Sequence, residues 1–253
     1  LDAFESALYA VDMGTGKDVD PLAGFNIDMR WIDPKSEQGK FILEWMPKAS
    51  RNKHSDMRGG MKIHNIWAVR QNAHVDGWRK RIKEIASDKF RISEKALHQP
   101  KSRIDIDPLE APHYEKSNVS MMFHGTRSVN VPGILRENLR LPKTLVGVVI
   151  TGAMFGGGLY WADDWKKSAG YTSGNSRWGG GSGAVAGRHA FMFVADTAIG
   201  NPFVAPGPRG YTEPPKGHHC IFGKADVSQV MNNEFITFDR NQHQLRYLVE
   251  FSK

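Results

Sequence analysis

The chain has 253 residues, 40% of them hydrophobic, one cysteine and a formal net charge of +7 from 34 Lys plus Arg against 27 Asp plus Glu. That length supplies one large core or two small ones, no composition shift divides it, and the lone Cys220 excludes an intramolecular disulfide and thiolate-rich zinc sites. No apolar run nears the roughly 20 residues that span a bilayer, Leu1-Asp2-Ala3-Phe4-Glu5 lacks a basic-then-apolar leader, and the basic excess favours polyanionic ligands; a soluble, intracellular, reduced protein is expected.

Leu1, Phe4, Leu8 and Val11 recur at helical spacing before Gly14-Thr15-Gly16, and the start at Leu reads as a processed or excised fragment. Phe25, Ile27, Met29 and Trp31 alternate as in a half-buried strand. Asp33-Pro34 then opens a helix carrying Phe41, Ile42, Trp45 and Met46. Residues 48–60 are polar and basic, a loop, and a second strand is predicted over 61–69. Trp78, Ile82 and Ile85 mark a helix to about Ala86, with Asp76 as its cap. Its outer face carries Arg79, Lys80, Arg81 and Lys83, which reads as a solvated face or a nucleic-acid contact.

Residues 120–123 are strand-like and lead into His124-Gly125-Thr126, after which Val131, Ile134, Leu135 and Leu139 supply a helix face. Gly156-Gly157-Gly158 precedes a short strand, Leu159-Tyr160-Trp161, and Asp163 or Asp164 caps a helix reaching Tyr171. Residues 174–187 form a Gly/Ser tract, and Phe191-Met192-Phe193-Val194 resumes the sheet. Five prolines and four glycines between residues 200 and 219 imply an irregular loop. The C-terminus reads as a hairpin of strands over 234–238 and 245–251 around a turn at 239–242.

Gly181-Ser182-Gly183-Ala184-Val185-Ala186 fits a loose dinucleotide pattern but lacks the strand-turn-helix setting that puts pyrophosphate on a helix N-terminus. His218-His219-Cys220 offers adjacent groups that point opposite ways on an extended segment, so no metal is expected. G-x-S-x-G, H-E-x-x-H and G-x-x-x-x-G-K-[ST] are absent, which disfavours the familiar hydrolase and P-loop chemistries.

Three segments remain: Phe123-His124-Gly125-Thr126; Met154 to Asp163 continuing through Lys167-Ser168-Ala169-Gly170-Tyr171; and Asn233-Glu234-Phe235-Ile236-Thr237-Phe238-Asp239. In this order and spacing they resemble the catalytic domain of the poly(ADP-ribose) polymerase family with its His-Tyr-Glu signature, strongly over residues 119–253 and more weakly over 25–69. The resemblance implies an α+β domain, the ADP-ribosyltransferase fold, with two packed, mostly antiparallel sheets flanked by helices and NAD+ bound as substrate in the cleft between them. The expected division is an N-terminal segment, 1–24, with a remnant helix of a regulatory domain, and a catalytic domain, 25–253, with an insertion around 72–112.

Nicotinamide leaves the ribose through an oxocarbenium-like transition state, so such a site needs a flat clamp for the ring, fixed amide partners and a carboxylate that attracts developing positive charge. By the resemblance, the Gly125 backbone and the Ser168 hydroxyl hold the carboxamide, and Tyr160 and Tyr171 sandwich the ring. His124 holds the adenosine-side ribose, with Thr126 beside it and Arg140 near the adenosine or pyrophosphate. Glu234 bonds the nicotinamide ribose and helps the acceptor lose its proton, with Lys167 near that acceptor. The catalytic residues are thus His124, Tyr160 and Glu234. Asn232 and Ala153 stand where polymerizing members usually carry aromatics, while Glu234 is the residue usually lost in members restricted to single additions. Protein side chains are the first expectation for the acceptor; a nucleic acid, or a non-catalytic NAD+- or ADP-ribose-binding module, is the alternative.

Overall fold

The computed structural model describes residues 25–50, 60–94, 105–142, 153–172 and 189–252. The expected N-terminal helix, the Gly/Ser tract and the dinucleotide-like pattern at 181–186 lie outside the described residues.

Two sheets form the frame. The first runs β1 (Ile27–Trp31), β2 (Lys62–Gln71), β9 (His243–Ser252), β5 (Ala190–Ala198), β3 (Val119–Gly125), with every neighbouring pair antiparallel. The second runs β4 (Leu159–Trp161), β8 (Glu234–Thr237), β7 (Cys220–Gly223), β6 (Pro202–Val204), antiparallel except for the parallel β6–β7 pair. Alternation gives the first sheet two apolar faces. Met122, Phe191, Phe193 and Leu248 face the second sheet's Leu159, Trp161, Phe222 and Phe235, together with Val131 and Leu135 of helix α4 (Val131–Glu137). Met121, Phe123, Met192 and Val249 pack on the opposite side against α1 (Glu37–Lys48) and α5 (Trp165–Ala169). Helix α2 (Asn72–Ser87) buries Trp78, Ile82 and Ile85 against Val119 and Ala198.

A bulge in β9 aims one buried charge. Val194 pairs with Tyr247 and Ala195 with Leu245, which leaves Arg246 as the extra residue. Its guanidinium bonds Asp196 Oδ2 at 2.6 Å and Glu110 Oε2. Tyr114, at the end of the short helix α3 (Ala111–Tyr114), also donates to Asp196, at 2.7 Å. Arg79 of α2 reaches Glu110 at 3.4 Å and Asp107 at 2.5 Å. The described part of the expected insertion is thereby fastened to the sheet twice, by the buried apolar face of α2 and by these ion pairs.

Three local expectations need correction. The segments at the C-terminus are strands, but not a hairpin: β8 pairs with β4 and β7 in one sheet, β9 with β2 and β5 in the other. The connection is a 3-10 turn, Arg240–Gln242, opened by Asp239 accepting from Asn241 N. Asp76 does not cap α2, which starts a turn earlier at Asn72, directly after β2. The stretch expected to be an irregular loop contains β6, and β7 follows it immediately.

Replacing Arg246 with Ala would remove the guanidinium from fully buried Asp196 and leave Glu110, 2% exposed, with Arg79 at 3.4 Å as its remaining cation. A loss of about 3–5 kcal/mol in unfolding free energy is expected, the usual cost of breaking a buried pair from one side. Denaturant titration reads this directly, and a loss below about 1 kcal/mol, the range of exposed pairs, would show that the cluster carries little.

Candidate active site

The two sheets meet at one short bridge, where Phe123 N donates to Ala162 O at 2.9 Å and Ala162 N to Phe123 O at 3.1 Å. Directly beyond it, β3 ends in His124 and Gly125, while the chain leaving β4 turns through Asp163 and Asp164 into α5. Asp164 is the cap, its Oδ1 accepting from Lys166 N at 2.8 Å. This short helix lies so close to β3 that a Cβ on Gly125 would sit 1.7 Å from the Ser168 carbonyl oxygen. Glycine is therefore required at 125 by backbone packing, beyond the ligand access expected from its missing side chain.

A cavity of about 580 Å³ opens at this junction. His124, Gly125, Thr126, Arg140, Tyr160, Lys167, Ser168 and Tyr171 all contribute to its wall. Glu234 does not line it, but is joined to it through Lys167, whose Nζ lies 2.6 Å from Glu234 Oε1. Glu234 Oε2 is buried and has no hydrogen-bond partner among the described residues. Asn130, Glu137 and Asn138, not among the residues expected from sequence, bring α4 and its ends to the wall. Asn130 donates to Thr126 Oγ1 at 3.1 Å, and Glu137 pairs with Arg136 at 2.9 Å and with Arg140. The polar positions along the predicted helix face were the available signal.

Each candidate side chain is held by local hydrogen bonds. His124 Nδ1 lies 3.1 Å from the Tyr160 carbonyl, which can only accept, so the proton sits on Nδ1 and Nε2 keeps its lone pair. Tyr160 receives the Phe155 amide proton and donates to Gly156 O, both at 2.9 Å. That turn needs a glycine: Gly156 has φ of +94°, and a Cβ there would meet the Tyr211 carbonyl at 1.8 Å. Ser168 Oγ donates to Phe123 O at 3.2 Å, leaving its lone pairs as acceptors.

Burial dominates the electrostatics. It lowers the pKa of His124, against the Tyr160 hydrogen bond, and lowers that of Lys167, against the attraction of Glu234. Burial raises both tyrosines, and the Glu234 carboxylate pushes them further the same way. Beside His124, the Trp161 ring packs at a tilt against His243, centroids 4.8 Å apart, and His243 Nε2 lies 2.8 Å from Asn138 Oδ1. Burial drives the pKa of His243 down to about 3.

Among the described residues no cluster of His, Cys, Asp and Glu is placed to hold a metal ion, and no helix is long and apolar enough to cross a membrane. A family profile described as "Poly(ADP-ribose) polymerase catalytic domain" matches residues 48–229. Poly [ADP-ribose] polymerase 1 of Gallus gallus is 26% identical over 250 residues, covering 88% of this chain and 20% of the relative. The protein of that name in Xenopus laevis is 28% identical over 251 residues, again 88% of this chain and 20% of its own length. Protein mono-ADP-ribosyltransferase PARP4 of Mus musculus is 30% identical over 144 residues, 53% of this chain and 7% of the relative. Two sheets joined at a cleft are the ADP-ribosyltransferase fold, and the chain belongs to the poly(ADP-ribose) polymerase family. It spans about a fifth of the length of the two polymerase 1 relatives. The matched region contains His124 and Tyr160 and ends before Glu234.

The buried histidines set a pH dependence. A histidine whose folded pKa is depressed favours the neutral form, so its stabilisation is complete above the unfolded value of 6.5 and is lost as pH falls toward the folded value, about 3 for His243. His124, lowered from the same 6.5, adds a loss of the same sign. Unfolding free energy should be lower at about pH 5 than at about pH 7.5, a window above the usual carboxylate range. Equal stability at both, or a His243 imidazole seen by NMR to titrate near 6.5, would contradict the burial assigned to these rings.

Proposed function

We propose that this domain cleaves NAD+ at the nicotinamide glycosidic bond, releases nicotinamide and transfers ADP-ribose to protein side chains. The observation that carries the reading is the single cavity on which His124, Gly125, Tyr160, Ser168 and Tyr171 converge, with Glu234 coupled to its wall through Lys167.

The nicotinamide ring lies between Tyr160 and Tyr171, both kept as neutral phenols by burial. The Gly125 backbone and Ser168 bond its carboxamide. Neutral His124 presents Nε2 to a hydroxyl of the adenosine-side ribose, because Nδ1–H is spent on Tyr160. Thr126 and Arg140 stand toward the adenosine and pyrophosphate. Glu234 accepts a hydroxyl of the nicotinamide ribose on its unpartnered Oε2. As the C1′–N bond breaks, its electron pair leaves with nicotinamide and positive charge grows on the ribose, which the carboxylate stabilises. The acceptor's nucleophilic atom then bonds C1′ and gives up its proton with Glu234 as base.

A protein acceptor is favoured over a nucleic acid by the state of the basic face of α2. Arg79 pairs with Asp107 and Glu110, and Arg81 with Glu84 and Asp239, so its guanidinium groups already have internal partners. The presence of the whole His-Tyr-Glu set favours an enzyme over a non-catalytic binding module.

Changing Glu234 to Gln keeps shape and one acceptor oxygen but removes the charge. Transfer should fall by roughly 10²- to 10⁴-fold, the range of a positioned acid-base group. The NAD+ dissociation constant should move only a few-fold, by about 1 kcal/mol or less, because this interaction strengthens mainly in the transition state. Near-normal transfer, or equal losses in binding and transfer, would show that Glu234 has another role.

Benzamides should compete with NAD+, since they present the same amide and flat ring. Because a Cβ at position 125 would strike the Ser168 carbonyl, Gly125→Ala is enough to displace α5 from β3. Calorimetry should show benzamide affinity lowered by about 100-fold or more, roughly 2.7 kcal/mol. Unchanged affinity in this variant would remove the pocket assignment.

A further inference from the structure

Asn233 precedes Glu234 and is held at three of its polar groups. Its Nδ2 donates to Asp163 Oδ2 at 2.7 Å, and its Oδ1 accepts from Ala225 N at 2.9 Å. Its carbonyl accepts from Lys167 Nζ at 3.2 Å, the same ammonium that meets Glu234 Oε1 at 2.6 Å. Asn233 and Asp163 are each 2% exposed, and neither lines the cavity. Asp163 sits between Ala162, which makes the bridge to β3, and Asp164, which caps α5. Two successive aspartates thus divide the work, one closing the helix and the other turned toward the strand that bears Glu234.

We propose that Asp163 and Asn233 form a clamp that positions the Lys167–Glu234 pair, by tying the start of β8 to the turn between β4 and α5. The proposal rests on the role given to Glu234 above. Both are positioning residues: without the Asn233–Asp163 hydrogen bond, the Asn233 carbonyl and the Glu234 backbone lose their tie to the turn that leads into α5 and Lys167. The polarity of the bond is part of the device. A carboxylate at 233 would face that of Asp163 at about hydrogen-bond distance, and two such like charges repel unless they share a proton. An apolar residue at 233 would leave buried Asp163 without this donor.

The test exchanges the two groups. Asn233→Asp places two carboxylates together, whereas Asp163→Asn with Asn233→Asp restores one amide facing one carboxylate and keeps an acceptor for Ala225 N. In the single variant, kcat for nicotinamide release should fall by about 10- to 100-fold, as small misplacements of catalytic groups do. The NAD+ dissociation constant should stay within about threefold, since the ground state is held elsewhere. The exchanged pair should bring kcat back to within about threefold of the parent. The single variant's deficit should also shrink on acidification, when the two carboxylates share a proton, a response that a general loss of structure would not give.

Hydrogen exchange at the Ala225 amide supplies a readout independent of activity: faster in Asn233→Asp, protected again in the exchanged pair. The clamp is overturned if the single variant keeps parental kcat, if binding and turnover fall together, or if the exchanged pair recovers nothing. A parent chain that releases no nicotinamide would end the assigned function while leaving Ala225 exchange to decide the clamp. Unchanged protection there in Asn233→Asp overturns it.

Discussion

The bridge between Phe123 and Ala162 is the constraint on which the cleft depends. Two backbone hydrogen bonds hold the edge strand of one sheet against the edge strand of the other. Just past this point the sheets' facing residues stop filling the space, and the 580 Å³ cavity begins. Several of the candidate residues are within a few residues of the junction: His124 and Gly125 follow Phe123, Tyr160 precedes Ala162, and Ser168 returns its hydroxyl to the Phe123 carbonyl. Strands and helix ends hold groups more rigidly than a surface loop would.

The charges around this junction are arranged at a cost to stability. Lys167 and Glu234 are largely withdrawn from solvent, and desolvation of such a pair often exceeds its mutual attraction. Glu234 moreover retains a buried oxygen with no hydrogen-bond partner among the described residues. A domain selected for stability alone would fill this position with an apolar side chain. The expense is intelligible if that oxygen is completed by a ribose hydroxyl. Arg246 shows the contrasting case, a buried cation whose carboxylate and phenol partners serve to fasten α2 and α3 to the sheet.

Much of this was legible from residue patterns because each signal was local. The alternation of Phe25, Ile27, Met29 and Trp31 reported a half-buried strand, and β1 shows it. The strand-like run before His124 and the glycine triplet before Tyr160 located β3 and β4, and the eight wall residues named from sequence do share one cavity. Partner choice was not legible. The periodicities of β8 and β9 establish two strands, but nothing local says that a 3-10 turn carries the chain from one sheet to the other. β6 was hidden because its three residues begin at Pro202, and proline there argues against a strand unless the strand is an edge, as this one is. The Lys167–Glu234 contact joins residues far apart in sequence and was foreseen only as proximity to the acceptor.

On the proposed function, the inter-sheet cavity binds NAD+ with its nicotinamide between Tyr160 and Tyr171, beside Glu234. The most direct measurement is a crystal structure of the chain with an NAD+ analogue whose glycosidic C–N bond is replaced by a non-cleavable C–C bond. The carboxamide is expected on Gly125 and Ser168, the ring between the two tyrosines and a ribose hydroxyl on Glu234 Oε2. Density for the dinucleotide elsewhere, or in this cavity with the nicotinamide end directed away from Glu234, would contradict it.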